Sequence, residues 1–257
     1  DQAMKTLRCI LVLALAVSSQ SCFMPRSPEV PIPVSFYDVS EQETDTLVIF
    51  LPGRGDSPGV FESKGFIGAM KEFGVRADAV AADAHLGCYY AGQLADRIEA
   101  DVLAPYRFEG YRTFILVGTS LGGYGSLWLQ NEFPDAIDSV VLFAPFMGSE
   151  EVVESVRREE SLGRWVAGLA GEPTKDEFPW IWIQDLAESE GVPVQSVMIA
   201  FGEKDRFRPA AETVAELLPS SRVFRSPGGH DWETWLDLWR KILGSRAWAE
   251  LSAPGES

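Results

Sequence analysis

Short apolar runs alternate with amphipathic stretches along this chain, and the alternation predicts strands interleaved with helices. The apolar runs contain few polar residues, which is typical of strands buried on both faces of a parallel sheet. They lie at 46–51, 77–82, 113–117, 139–143, 196–201 and 222–224. Helical patterns lie at 60–73, 92–103, 121–132, 210–218 and 232–242. The sequence therefore predicts an α/β fold with a doubly wound, mostly parallel sheet.

The last predicted helix carries a stripe of large apolar side chains on one face. Its members recur at helical spacing and are Trp232, Trp235, Leu236, Trp239 and Ile242. A stripe of this kind is typical of a helix that packs against a core. We therefore interpret these aromatic residues as core and not as a ligand site.

Residues 147–193 separate two predicted strands by more than a single crossover requires. The segment begins with a charged, helix-like stretch at 150–160 and continues with several aromatic residues. Two interpretations remain open, a small helical cap inserted over a site and a pair of ordinary crossover helices. We favour the cap.

The first 21 residues have the pattern of a signal peptide. A basic start at 4–8 precedes an apolar run at 10–17 that is too short to span a bilayer, and small residues follow it. Cys22 directly after Ser21 resembles a bacterial lipobox, in which the cysteine is lipidated, although Ser19 and Gln20 depart from the usual pattern. We expect a lipoprotein of the bacterial cell envelope, bound to the membrane only through Cys22.

Two alternatives remain for the N-terminus. The protein could be secreted or periplasmic after cleavage near Ala16 or Ser21, or the N-terminus could stay uncleaved. The prolines within 22–33 favour an extended tether between the anchor and the domain, and 249–257 is expected to be a C-terminal tail.

Composition excludes some classes of function. Aspartate and glutamate number 38 against 22 lysines and arginines, which gives a net charge of -16, and such a surface repels a phosphate backbone. Nucleic acid is therefore not an expected partner. The chain has only three cysteines and two histidines, too few for a cysteine-rich zinc site. Any imidazole base must be His85 or His230.

The strongest chemical motif follows the predicted strand at 113–117. The sequence Gly118-Thr119-Ser120-Leu121-Gly122 has the G-x-S-x-G pattern between a strand and a helix, where a serine on a tight turn projects its hydroxyl from the sheet. Ser120 is therefore the predicted nucleophile. The alternative is a glycine-rich turn whose serine only caps the helix.

A serine nucleophile needs a base and a carboxylate that orients the base. His230 lies in a glycine-rich loop before the last helix, and Asp205 follows the predicted strand at 196–201. We predict His230 as the base and Asp205 as the acid. Glu203 is the nearest rival for the acid, whereas Asp231 is expected to be the N-cap of the last helix.

The oxyanion hole is expected to use the backbone N–H of Leu121 and that of Arg54, in the loop after the first buried strand. For the Arg54 side chain we favour an ion pair with Asp56. Binding of an acidic or polar group of the substrate is the alternative.

The second histidine lies beside the predicted site. Asp83, His85 and Cys88 share one loop, but three mixed ligands without a further histidine make a weak metal site, so no metal is expected. His85 either contacts the substrate or has a structural role, and we favour the structural role. Cys88 is not expected to be the nucleophile, because Ser120, His230 and Asp205 already supply a nucleophile, a base and an acid.

Four motifs in register over about 34–248 resemble the α/β-hydrolase fold superfamily, including its order of serine, then acid, then histidine. They are Pro52-Gly53-Arg54-Gly55, Gly118-Thr119-Ser120-Leu121-Gly122-Gly123, Gly202-Glu203-Lys204-Asp205 and Gly229-His230-Asp231-Trp232. Many relatives carry His-Gly where this chain has Pro52-Gly53. The last motif is similar to that of esterase-D-like and feruloyl-esterase-like enzymes.

The resemblance implies a serine hydrolase without a cofactor, acting on a small-molecule carboxylic ester or thioester. A peptidase or lipase would use the same triad. A catalytically silent binding module of the cell envelope is the alternative from a different class, because fold alone does not determine function.

Overall fold

A seven-stranded sheet forms the centre of the part of the molecule that the structure, a computed structural model, describes, namely residues 26–27, 31–188 and 196–251. The strand order is β1-β3-β2-β4-β5-β6-β7. The strands are β1 (Val34–Tyr37), β2 (Thr46–Leu51), β3 (Asp78–Ala82), β4 (Thr113–Thr119), β5 (Ser139–Phe143), β6 (Val197–Gly202) and β7 (Val223–Ser226). Strand β1 runs antiparallel to β3, and the other neighbours pair in parallel.

The central strands are buried on both faces, as their apolar runs predict. Every residue of β2, β5 and β6 is buried. Strand β1, which the sequence pattern does not predict, lies at the edge of the sheet and alternates between exposed and half-buried residues. The prediction of a doubly wound, mostly parallel sheet is confirmed, with one antiparallel edge strand added.

Helices flank the sheet and connect its strands. They are α1 (Val60–Ser63), α2 (Phe66–Glu72), α3 (Leu86–Tyr90), α4 (Leu94–Ile98), α5 (Ala104–Glu109), α6 (Leu121–Glu132), α7 (Glu150–Arg158), α8 (Leu162–Ala167), α9 (Phe178–Glu188), α10 (Arg208–Ala215), α11 (Trp232–Leu243) and α12 (Arg246–Leu251). A π-helical turn, Glu99–Leu103, joins α4 to α5, and a 3-10 turn, Ser220–Arg222, precedes β7.

Two predicted helices differ from the observed ones by more than a shift of their ends. The predicted helix at 60–73 is broken into α1 and α2 at Gly65, whose φ of 86° is not helical. The predicted helix at 92–103 begins two residues later, at Leu94, and continues through the π-helical turn into α5. In both cases the apolar periodicity is correct, but it does not show where the backbone changes its helical state.

The stripe on α11 packs into the core. Trp235, Trp239 and Ile242 are buried, and Trp232 and Leu236 pack against the core partly buried. The ring of Trp239 stacks on Phe66 at 5.7 Å. The structural interpretation of this stripe is therefore confirmed.

The order in which strands are added to the sheet changes direction at β2, because the chain adds β3 on one side of β2 and then β4 on the other side. Strands β2 and β4 are neighbours, with Leu51 paired to Gly118, while β3 lies on the other side of β2. In open parallel sheets the crevice at such a switch point, beyond the carboxyl ends of the strands, is where ligands bind. The loops that follow β2 and β4 therefore meet at the expected place for a site.

Helices α7 to α9 occupy the described part of the predicted cap, between β5 and β6. Tyr124 of α6 donates a hydrogen bond from its hydroxyl to the carbonyl oxygen of Lys175 at 3.2 Å, which joins this segment to the helix after the predicted nucleophile. That the segment acts as a cap stays a prediction.

Most of the N-terminal predictions fall outside the described residues. The signal peptide at 1–21, Cys22 and most of the tether at 22–33 lie there, and these predictions remain as stated. Most of the predicted tail at 249–257 lies there too, whereas its first three residues are the end of α12. Within the described ranges, the helices are too short or too polar to cross a membrane.

Candidate active site

Ser120 occupies a sharp turn between β4 and α6. Its φ of 52° and ψ of -112° lie outside the regions that non-glycine residues favour. Two hydrogen bonds hold the turn, one from Ser120 N to the carbonyl oxygen of Phe143 at 2.9 Å and one from Phe146 N to the carbonyl oxygen of Ser120 at 2.9 Å. These bonds hold the backbone of the turn against the carboxyl end of the neighbouring strand β5.

The glycines on either side of Ser120 are required by close backbone contacts. A Cβ atom on Gly118 would lie 2.2 Å from the carbonyl oxygen of Gly122, and one on Gly122 would lie 2.0 Å from that of Leu51. Both contacts are to main chain, which cannot move aside easily. The G-x-S-x-G spacing thus follows from the packing of the turn against β2.

The structure brings Ser120, His230 and Asp205 together although they are distant in sequence. His230 Nε2 lies 3.0 Å from Ser120 Oγ. His230 Nδ1 lies 3.0 Å from Asp205 Oδ1 and 2.9 Å from Asp205 Oδ2. Asp205 is buried, with 4% of its surface exposed. The predicted nucleophile, base and acid therefore form one chain of contacts.

The loops after β6 and β7 hold the acid and the histidine against each other. Lys204 N donates to the carbonyl oxygen of Gly228 at 2.7 Å, and a Cβ on Gly202 would lie 2.5 Å from that same oxygen. The His230 ring is further held between Phe207 and Trp235, at centroid distances of 4.9 and 4.8 Å. Glu203, the rival for the acid, is exposed.

Asp231 is the N-cap of α11, as the sequence predicts. Its Oδ1 accepts from Thr234 N at 2.9 Å and its Oδ2 from Gly229 N at 3.2 Å, so it braces both sides of His230. These backbone donors, that of Thr234 first, hold the pKa of Asp231 below its usual range. The cap therefore stabilises the fold fully above the pKa of the unfolded carboxyl, and this contribution is lost as pH falls through the lowered folded value.

Replacing Asp231 by alanine is expected to lower the free energy of unfolding by about 1 kcal/mol, because α11 loses its capping acceptor. Urea denaturation at neutral pH measures the change. Asp231→Asn is the matched control, since the amide oxygen still accepts the hydrogen bond. An alanine variant as stable as the wild type would show that this cap contributes nothing.

The predicted oxyanion hole lies where β2 and β4 end side by side. A Cβ on Gly53 would lie 3.5 Å from Ser120 Cβ, so the loop after β2 passes directly beside the serine. Arg54, Ser120 and Leu121 line the same pocket. In the described parts of the chain, neither the N–H of Arg54 nor that of Leu121 donates to another backbone group. Both donors are therefore available beside Ser120.

A pocket of about 520 Å³ opens at Ser120. Its lining is largely aromatic and basic, and consists of Arg54, Leu86, Tyr89, Tyr90, Ser120, Leu121, Tyr124, Phe146, Lys175, Asp176, Arg206 and Phe207. The volume lies within the range of small-molecule sites. The pocket therefore has room for a small organic substrate beside the serine hydroxyl.

The ion pair expected between Arg54 and Asp56 is not formed. Across the described ranges, the ion pairs with Asp or Glu do not include Arg54. Asp56 accepts a hydrogen bond from Trp232 instead, and burial raises its pKa. The prediction of this pair is wrong, because the loop turns the Arg54 side chain to the pocket while Asp56 packs toward α11.

His85 is the N-cap of α3, where its Nδ1 accepts from Gly87 N at 3.2 Å. Burial lowers its pKa. Its neighbours Leu86, Tyr89 and Tyr90 line the pocket of Ser120, whereas His85 is not among the described lining residues. This position fits the structural role.

The other two residues of that loop have their own partners. Asp83 is buried and forms a two-point ion pair with Arg26, one of whose contacts is 2.7 Å long, so the predicted tether packs against the domain at this point. Burial raises the pKa of the Cys88 thiol, which disfavours the reactive thiolate. Within the described residues, no group of three or more His, Cys, Asp or Glu is arranged to hold a metal ion.

Several pocket residues were not singled out from the sequence, although some had a usable signal. Tyr124 follows Ser120 by about one helical turn, and Arg206 and Phe207 directly follow Asp205. Lys175 and Asp176 had no such signal, because they reach the pocket from the long segment between β5 and β6.

Comparison with known proteins identifies the family. Residues 70–243 match the Esterase family, described as "Putative esterase". No curated protein sequence matches the chain.

Solved structures agree on the fold. A ferulic acid esterase is 15% identical, with a TM-score of 0.57 over 86% of this chain and 97% of its own. The S-formylglutathione hydrolase of Staphylococcus aureus is 12% identical, with a TM-score of 0.55 over 90% and 100%. An α/β hydrolase from a sediment metagenome of the Mar Chica lagoon, Morocco, is 22% identical, with a TM-score of 0.52 over 83% and 92%. The chain belongs to the Esterase family and is an esterase-type hydrolase with the α/β-hydrolase fold.

Proposed function

We propose that this protein is a serine hydrolase that cleaves carboxylic ester or thioester bonds through Ser120, His230 and Asp205. The observation that carries the proposal is the unbroken contact chain from Asp205 through His230 to Ser120, with 3.0 Å between His230 Nε2 and Ser120 Oγ. A base within hydrogen-bond reach of the nucleophile, and itself oriented by a carboxylate, is the arrangement that activates a serine hydroxyl.

In the first half of the reaction, Ser120 Oγ attacks the carbonyl carbon of the substrate while His230 Nε2 accepts its proton. Asp205 accepts the hydrogen bond from Nδ1–H, which leaves Nε2 free as the acceptor and stabilises the imidazolium that forms. The burial of Asp205 strengthens this interaction because little water competes for the carboxylate. The imidazolium then protonates the leaving alcohol or thiol, and an acyl-enzyme remains.

The negative charge on the carbonyl oxygen needs donors that are in place before the reaction. The N–H of Leu121, at the start of α6, and the N–H of Arg54 serve as these donors. The N-terminus of α6 adds its partial positive charge. Preorganised donors of this kind stabilise the tetrahedral intermediate without reorganising.

Water completes the cycle. His230 removes a proton from a water molecule that attacks the acyl carbonyl, and then returns that proton to Ser120 Oγ as the acid is released. The side chains of Ser120, His230 and Asp205 thus carry the proton transfers in both halves of the reaction.

The proposed bond class is supported by the family and by two structural neighbours. The names of those neighbours specify a ferulic acid ester and S-formylglutathione, an oxygen ester and a thioester. These names support the proposed reaction type. Because both proteins are below 25% identical to this chain, they leave the acyl group of its substrate open.

A fluorophosphonate probe tests the nucleophile directly. The probe resembles the tetrahedral intermediate, so it is expected to form one covalent adduct, on Ser120. Intact mass and peptide mapping by mass spectrometry locate the adduct. Ser120→Ala should abolish labelling, whereas replacing the exposed Ser63 on α1 by alanine should leave it complete.

Heat-denatured protein supplies the second control, because labelling must require the folded site. An adduct on another serine, or equal labelling of denatured protein, would refute the assignment of Ser120.

A further inference from the structure

Three cations line the pocket of Ser120, namely Arg54, Lys175 and Arg206. Asp176 is the one acidic side chain among the described lining residues, and its Oδ2 already accepts from Ser149 N at 3.1 Å. The chain as a whole has 38 acidic and 22 basic residues. The lining therefore has the opposite charge balance to the rest of the protein.

These cations are exposed, and among the described residues no carboxylate lies within ion-pair distance of them. The ion pairs that the described residues form include Arg208 with Glu212 but none with Arg54, Lys175 or Arg206. Exposed cations of this kind keep their positive charge available to a ligand. We call Arg54, Lys175 and Arg206 the basic rim.

The position of Arg206 is tied to the catalytic geometry. Its guanidinium lies over the ring of Phe207, 4.9 Å from the centroid, and that ring contacts His230 edge-on at 4.9 Å. The turn itself is held by Phe207 N, which donates to Asp205 Oδ1 at 2.8 Å. Arg206 is thus held beside the imidazole by the same turn that places Asp205.

Beneath the basic rim the pocket is aromatic. Tyr89 and Tyr124 are buried and pack at 6.2 Å, and Phe146 packs on Tyr124 at 6.2 Å. Burial raises the pKa of Tyr124 to about 12 and the pKa of Tyr89 as well. Both phenols are therefore neutral at ordinary pH and add no negative charge to the pocket.

We propose that the substrate is an ester with an anionic group, such as a carboxylate, which the basic rim binds while an apolar portion packs on the aromatic residues. This inference rests on the proposed function and adds a substrate class to it. A guanidinium binds a carboxylate through two parallel hydrogen bonds, a geometry that a neutral ester cannot match. The positive rim also attracts such a substrate to a protein that otherwise repels anions.

Two matched pairs of esters test the proposal. In the first pair, 4-acetoxybenzoate carries a carboxylate on the alcohol side of the ester, and its methyl ester is the neutral counterpart. In the second pair, 4-nitrophenyl hydrogen glutarate carries a carboxylate on the acyl side, and 4-nitrophenyl pentanoate is the neutral counterpart. In at least one pair, kcat/KM is expected to favour the charged ester by roughly tenfold or more. The preference should shrink as ionic strength rises, because salt screens the exposed rim.

Variants assign the preference to the basic rim. In Arg206→Gln, and more strongly in Arg206→Gln/Lys175→Gln, the ratio of charged to neutral kcat/KM is expected to fall by roughly tenfold. The matched control is Lys71→Gln/Arg76→Gln, which removes two exposed cations near the amino end of β3. The pocket of Ser120 lies at the other end of the strands, beyond their carboxyl ends. That control should leave the ratio unchanged.

The outcomes separate this inference from the proposed function. Hydrolysis of none of the four esters would overturn the proposed function and this inference with it. Hydrolysis without a preference for either charged ester, or a preference that survives Arg206→Gln/Lys175→Gln and high salt, would overturn the inference alone. So would binding to phosphatidylglycerol vesicles that the double variant loses while its ester ratio stays the same, since the cations would then serve a lipid surface.

Discussion

Replacing Ser120 by alanine is expected to lower kcat for a 4-nitrophenyl ester by about five to six orders of magnitude, as in serine hydrolases that lose their nucleophile. The alanine variant keeps the donors of Leu121 and Arg54 and the pocket, so it can still bind the substrate and stabilise an oxyanion. It cannot form the acyl-enzyme. Steady-state kinetics, with the uncatalysed rate subtracted, measure the loss.

Substrate binding provides the control for that experiment. KM, or the affinity for a competitive product, should change little in Ser120→Ala, because the aromatic pocket is intact. A variant that keeps more than a tenth of the wild-type kcat would place the nucleophile elsewhere in the chain.

The second large effect concerns the acid. Asp205→Asn is expected to lower kcat by about 10⁴, because an amide no longer stabilises the imidazolium and favours the wrong tautomer of His230. The fold should survive, since the asparagine Oδ1 can still accept from Phe207 N, which Asp205 Oδ1 does at 2.8 Å. Stopped-flow or steady-state rates, together with circular dichroism, separate the two effects.

Glu203→Gln is the matched variant for Asp205→Asn. It makes the same chemical change two residues away, on an exposed side chain whose backbone N donates to the carbonyl oxygen of Ser226 at 2.9 Å. We expect less than a twofold change in kcat, since surface charges interact weakly with a buried pair. The reverse ranking of the two variants would transfer the orienting role to Glu203.

The sequence predicts the sheet, and also that Ser120, Asp205 and His230 lie close together, for a physical reason. Strands buried on both faces are almost entirely apolar, so runs such as Thr46–Leu51 and Ser139–Phe143 are recognised without knowledge of their partners. Parallel strands place their carboxyl ends at one edge, so Ser120, Asp205 and His230 could be placed near one another from their positions after strands. The edge strand Val34–Tyr37 has no such signal, because only part of it is buried.

Contacts between distant segments could not be predicted from the pattern. Arg26 pairs with Asp83 across 57 positions of sequence, and Lys175 and Asp176 reach the pocket from the segment between β5 and β6. The Arg54 side chain illustrates the same limit. A nearby opposite charge at Asp56 made an ion pair the natural expectation, whereas the loop conformation keeps the two side chains apart.

The backbone of Ser120 has a thermodynamic consequence. A non-glycine residue held at such dihedral angles costs about 1–3 kcal/mol, a considerable part of the 5–15 kcal/mol by which folded domains are typically stable. The rest of the fold must supply that free energy. A binding module with no use for a reactive hydroxyl would gain stability by relaxing the turn and would lose no function in doing so. The strain at Ser120 is therefore an argument, independent of the triad, that this chain acts as an enzyme.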